Sequence, residues 1–226
     1  MKTFANCFSS RPRHVVRLAV IAAACSSWFG ILIADAATLS WSGAGSSANW
    51  SDSGNWGLAG TPTNGDILIF TAAQPRLINT NNIAGLTLNQ IRFAGASGGY
   101  QLYGNAITLT NGIEATNSAG LNVISNNITL GSPGDFLVNV ATGAKLFLGG
   151  TLSGSVGLIK TGGGTNTLGG GFSNTYGGST TVTNGLMELS KFGSSAAAVP
   201  HDLIIGQGSV GSTVRNLAGS EIADIG

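Results

Sequence analysis

Beyond residue 36 the chain alternates apolar and polar residues in runs of three to five, separated by Gly, Asn, Ser or Thr. A period of two is the mark of a half-buried strand, and the separating residues are those that tolerate turns. No stretch keeps apolar residues at three- and four-residue spacing without a glycine interrupting it, and each such glycine costs a helix about 1 kcal/mol. The pattern predicts an all-β domain with no helix after the first segment.

The runs also recur. Leu86-Thr87-Leu88, Ile107-Thr108-Leu109 and Ile128-Thr129-Leu130 stand 21 residues apart. Tyr100 and Leu102 precede Leu121 and Val123 by the same interval, and Gly150-Thr151-Leu152 roughly extends the first series. A step of 21 is too short for a four-stranded propeller blade. It fits one turn of a parallel β-solenoid, where each strand pairs with its equivalent one coil away. At a spacing of about 4.8 Å, the roughly 190 residues after the first segment would make eight or nine coils and a rod about 40 Å long. Leu86, Leu88, Ile107, Leu109, Ile128 and Leu130 would then stack inward, and Thr87, Thr108 and Thr129 outward. A sandwich of antiparallel strands is the rival, since short strands at intervals of about eight to twelve residues read similarly. The matched step favours the solenoid.

Composition agrees with a folded chain. Hydrophobic residues make up 42% and charged residues only 8%, which escapes the signature of disorder. The 36 glycines follow no triplet period and there are only five prolines, so collagen is excluded. Coil corners need positive φ, and glycine and asparagine tolerate it best.

Lys2, Arg11, Arg13 and Arg17 precede the apolar run "LAVIAAACSSWFGILI", and Ala34-Asp35-Ala36 offers small residues for cleavage. Residues 1–36 therefore read as a secretory signal, which predicts a secreted or cell-surface protein. A single membrane anchor competes, because the run approaches the shortest length that spans hydrocarbon. Lipoprotein processing at Cys25 fits less well, since "WFGILI" would then begin the mature chain. Without residues 1–36, six basic residues face eight acidic ones, or about −2, and no basic stripe remains for nucleic acid. Cys7 and Cys25 both fall in that segment, so the exported chain carries no disulfide.

The stretch "KTGGGTNTLGGGFSNTYGGSTTVTNG", Lys160 to Gly185, is rich in glycine without being a phosphate loop. Lys160 precedes the glycines rather than following them, and a strand rather than a helix comes next. No carboxylate lies between Gly162 and Gly185 to hold calcium. Asp52, Asp66, Glu114, Asp135, Glu188, Asp202, Glu221 and Asp224 are scattered, with no adjacent pair suited to glycosidic cleavage. His201 is the only histidine left to serve a serine triad, yet Pro200-His201-Asp202 reads as a loop entering the strand "LIIG". One histidine and no cysteine cannot supply a metal site. No catalytic, cofactor-binding or metal-binding residue is assigned. Trp41, Trp50 and Trp56 are candidate carbohydrate contacts, as an aromatic platform for sugar rings. The favoured alternative is a cap that covers the open first coil.

"LIKTGGGTNTLGGGFSNTYGGSTTVTNGLMELS", Leu158 to Ser190, resembles the autotransporter-associated β-strand repeat, also called the passenger-associated transport repeat. The shared positions are Lys160 before the glycines, Leu168, Asn174-Thr175-Tyr176, Gly178, Thr181-Val182, Gly185, Met187 and Leu189. Asn166 stands where that family usually has an apolar residue, and "GGGFSNTY" is about two residues longer than usual. That coil is expected to bulge. "STVRNLAGSEIADIG" and the tryptophan-bearing N-terminal stretch are also similar to segments of such chains. The resemblance implies a right-handed parallel β-helix in an exported passenger, with no reaction attached. The chain thus reads as a signal (1–36), a tryptophan-containing cap with the first coils (37–84) and the solenoid (85–226), and the resemblance places the repeat at 158–190. Strands of the membrane-barrel type are missing, and further coils beyond Gly226 are expected. The expected function is a non-catalytic structural passenger or stalk with an adhesive surface. The alternative is a carbohydrate-binding or polysaccharide-degrading β-helix. Expected partners are cell-surface or extracellular polysaccharides, with no cofactor, no nucleic acid and no membrane span in the mature chain.

Overall fold

A computed structural model describes residues 36–71, 74–193, 195–206, 211–218 and 222–223. The signal assigned to residues 1–36, Glu221 and Asp224 lie outside them, apart from Ala36. Within them the chain is a parallel β-solenoid. One sheet runs through β1 (Thr38–Trp41), β2 (Ile67–Thr71), β4 (Thr87–Ala94), β6 (Ile107–Ala115), β9 (Phe136–Val140), β12 (Leu158–Thr161), β14 (Thr180–Val182) and β16 (Leu203–Ile205). Its side branch pairs β8 (Ile128–Leu130) with the first part of β6 and with β11 (Leu152–Gly154). The other sheet runs through β3 (Ile78–Asn81), β5 (Gln101–Gly104), β7 (Leu121–Ile124), β10 (Lys145–Leu148), β13 (Thr165–Gly170), β15 (Gly185–Lys191) and β17 (Ser212–Asn216). Every pair in these ladders is parallel, which removes the antiparallel sandwich.

The inward columns are those the alternation predicts. Thr87 and Leu88 pair with Thr108 and Leu109, and Ile107, Thr108 and Leu109 pair with Ile128, Thr129 and Leu130. All six predicted inward residues are buried, while Thr129 is exposed and Thr87 and Thr108 are half-buried. A second column joins Leu102, Ile124, Leu148, Leu168 and Leu189 across five coils.

The 21-residue step does not hold throughout. Leu88 pairs with Leu109 but Gln90 with Gly112, so β6 carries one extra residue at a bulge and the step rises to 22. Gln101 therefore pairs with Val123 and Leu102 with Ile124. The expected equivalence of Tyr100 and Leu102 with Leu121 and Val123 is wrong by one residue, which turns each side chain to the other face. Leu121 is 46% exposed, whereas its neighbour Asn122 is buried. The corner after β7 is one residue shorter than the corner after β5, which restores the step of 21 at Ile128. Gly150-Thr151-Leu152 also misses register, because Leu152 pairs with Ile128. Steps range from 20, Lys145 to Thr165, to 29, Thr38 to Ile67. The seven strands of the second sheet mark six steps, about 29 Å of rod, rather than eight or nine coils and 40 Å.

The only helical stretch among the described residues is a short 3-10 segment, Ser53–Ala59, inside the N-terminal cap. One corner glycine shows how tightly coils approach. Gly170 has φ +92° and a Cβ there would lie 1.9 Å from the carbonyl oxygen of Gly149 one coil below, whereas Gly57, at φ +64°, has nothing within 4 Å. Gly170→Ala is expected to lower stability by more than about 2 kcal/mol and Gly57→Ala by about 1 kcal/mol, measured by urea unfolding. Equal losses would show that backbone angle alone governs these corners.

Candidate functional surface

The three tryptophans form the cap. Trp41, Trp50 and Trp56 are each at most 2% exposed, so none offers a ring face to a sugar. Their rings pack edge-on, with centroids of Trp41 and Trp56 5.0 Å apart, and both contact Phe70. Phe93 stacks on Phe70 at 5.6 Å. The arrangement follows from the sequence, since Trp41, Phe70 and Phe93 share one inward register position on β1, β2 and β4. The Trp50 indole donates to Asn79 Oδ1 at 2.7 Å and the Trp56 indole to the Trp50 carbonyl at 2.8 Å. The loop also covers the open edge of β3: Trp50 N–H donates to Thr80 O and Thr80 N–H to Ala48 O, both at 2.9 Å. Asp52 fixes the loop from within, accepting from Ser46 Oγ, Ser47 N–H and Oγ, and Gly54 N–H. Those bonds, led by Ser46, hold its carboxyl down at about 2.

Each remaining carboxylate with a bonded partner makes its contacts within the solenoid, most of them to the neighbouring coil. Asp66, buried, accepts from Ala37 N–H and from Thr63 N–H and Oγ1. Asp135 accepts from Gly157 N–H at 3.0 Å. Glu114 pairs with Arg92 at 2.6 Å on adjacent strands of one sheet. Glu188 pairs with Arg215 and accepts from Thr167. Burial raises the Glu188 pKa, but those two bonds together with the positive charges of Arg215 and Lys145 outweigh it and the net shift is downward. In none of these is the partner another carboxylate. Asp202 is exposed beside half-buried His201, in the loop before β16 as expected. Among the described residues no three His, Cys, Asp or Glu side chains gather as metal ligands, and no helix is long and apolar enough to cross a membrane.

Lys160 is the most unusual charge. It lies on β12 in a column otherwise made of Leu39, Leu68, Ile91, Ile113, Val138, Val182 and Ile205. The residue is fully buried, and its ammonium donates to the carbonyls of Thr161, Gly162 and Asn184, two successive corners of the solenoid. Desolvation pushes its pKa down to about 8. Asn174 plays a comparable part on the third side, where its Oδ1 accepts from Leu152 N–H at 2.9 Å and its Nδ2 donates to Ala198 O at 2.8 Å. Asn166, on β13 opposite Leu146 and Met187, is buried and donates to Leu146 O, leaving its Oδ1 without a partner.

Two residues that the alternation did not single out are the most exposed of the large apolar side chains described. Phe172 is 78% exposed and Phe192 80%. Phe172 belongs to the long "GGGFSNTY" turn, which is the one signal that could have marked it. The expected bulge does not appear in the paired strands, where this coil keeps ordinary steps of 22 and 21. Comparison with protein-family models, with curated proteins and with solved structures gives no match.

Proposed function

We propose that this chain is an exported, non-catalytic structural β-helix, a passenger or stalk at the cell surface, and that residues 158–190 are an autotransporter-associated repeat. The observation that carries this reading is where the polar groups spend their bonds. Lys160, Asp66, Asp135 and Asn174 all bind backbone, and Lys160, Asp135 and Asn174 each tie one coil to the next. The positions of the resemblance support the same view: Leu168, Tyr176, Val182, Met187 and Leu189 are buried, and a Cβ on Gly178 would lie 2.4 Å from Gly157 N. Residues that join coils are those a winding passenger needs.

The reading predicts that the purified chain releases no reducing ends and no unsaturated sugars from neutral or acidic polysaccharides. On intact expressing cells it should be cleaved by added protease. Turnover of any polysaccharide would overturn the non-catalytic assignment, and protection from protease the surface location.

A further inference from the structure

Phe172 and Phe192 sit on successive coils, since Phe192 N–H donates to Gly170 O at 3.1 Å, and half-buried Phe147 lies beside them. Single exposed apolar residues are ordinary on a protein surface, but rings on neighbouring coils that line one depression form a patch. Glycines make that patch. A Cβ on Gly169 would lie 2.2 Å from Phe147 Cζ, one on Gly149 2.8 Å from Phe147 Cε1, and one on Gly171 3.2 Å from Phe192 Cε2. The Phe147 and Phe192 rings therefore rest on bare backbone and are placed before any ligand arrives, which lowers the cost of ordering them on binding.

A depression of about 350 Å³ adjoins the rings, lined by them, by glycine backbone and by the neutral side chains of Ser125, Asn127 and Thr151. No charged residue lines it. Lys191 is buried and donates to Gly150 O at 3.2 Å, so it offers nothing to a uronate or phosphate. Asn127 Oδ1 accepts from Thr151 N–H at 2.9 Å, which holds the amide in place and leaves its NH₂ for a ligand. Apolar ring faces beside hydroxyl and amide groups match a pyranose, which carries C–H groups on its faces and hydroxyls around its rim. Two rings and a narrow depression also fall well short of the roughly 800 Å² a side buried in a standard protein interface.

The geometry points to a contact site for a neutral polysaccharide at this corner, with Phe172 and Phe192 taking sugar faces and Ser125, Asn127 and Thr151 taking hydroxyls. It rests on the proposed function only in needing this corner outside the cell. The test is retention of the full chain on cellulose, chitin and a β-1,3-glucan, with polygalacturonate as the charged comparison. The site predicts retention on at least one neutral polymer, weakened tenfold or more in Phe172→Ala/Phe192→Ala, with thermal unfolding unchanged because both rings are exposed. Three outcomes would overturn it: no retention on any of the neutral polymers, equal retention by the double variant, or preference for polygalacturonate. A wild-type dimer that the double variant dissolves would assign the patch to a second copy of the chain instead. None of these results bears on polysaccharide turnover, so the stalk reading stands or falls separately.

Discussion

Ile128→Asp is expected to cost most or all of the chain's stability, while Thr129→Asp, one residue away, changes it by less than about 1 kcal/mol. Both substitutions add the same charge to the same strand, so their difference isolates burial. Ile128 is 1% exposed and is sandwiched between Ile107 below and Leu152 above. A carboxylate there loses its water and finds only aliphatic neighbours in its column, a penalty of several kcal/mol against a total stability of about 5–15 kcal/mol. Thr129 points outward, and its Oγ1 lies 3.4 Å from Ser153 Oγ, a contact that water replaces. Urea unfolding followed by far-ultraviolet circular dichroism measures both. Equal losses would mean that the inward and outward columns are wrongly assigned.

The inward and outward columns were legible in the sequence because a parallel ladder repeats side-chain direction at each coil, so Leu-Thr-Leu over Ile-Thr-Leu keeps both period and face. The second series was not, for a physical reason. A single bulged residue in β6 changes the step without disturbing the apolar pattern on either side, and its one signal, the isolated Gly112 after Asn111 at φ +153°, does not by itself give the size of the shift. Coil number failed for the same reason, since corners of unequal length lengthen the average step. The tryptophans show a different limit. Their spacing admitted a platform while favouring a cap, and the shared register of Trp41, Phe70 and Phe93, with the burial of Trp50 and Trp56, decides for the inward placement. Phe172 and Phe192 were not singled out, because each stands beside glycine outside the alternating apolar runs and nothing in the pattern says which way its ring points. Lys160 was legible as a motif and illegible as a role. Its position before the glycines excluded a phosphate loop, but its burial among apolar residues depends on registers that the steps of 21 do not supply.

Lys160→Ala is expected to lower stability at neutral pH by about 3 kcal/mol, and Lys160→Met by less. Both remove the donor shared by the Thr161, Gly162 and Asn184 carbonyls, and a buried carbonyl left unsatisfied costs about 1–3 kcal/mol. Relief of the ammonium's desolvation offsets part of that loss in each. Methionine continues the column between Val138 and Val182, whereas alanine leaves a cavity as well. The alkaline range separates the electrostatic part from the packing part. With Lys160 near 8 in the folded chain and 10.5 in the unfolded one, the unfolded chain binds more protons between those values, so wild-type stability rises with pH across that window. Tyr100 and Tyr176 act in the opposite sense. Burial raises both from 10.0 to about 12, so their contribution is whole below pH 10.0 and is lost as pH climbs through about 12. The wild type should therefore be most stable near pH 10, and Lys160→Met should lose the rising limb while keeping the fall above it. Urea midpoints collected from pH 7 to pH 12 decide the matter: a rising limb that survives in Lys160→Met would show that some other group, not this buried ammonium between two corners, sets the alkaline profile.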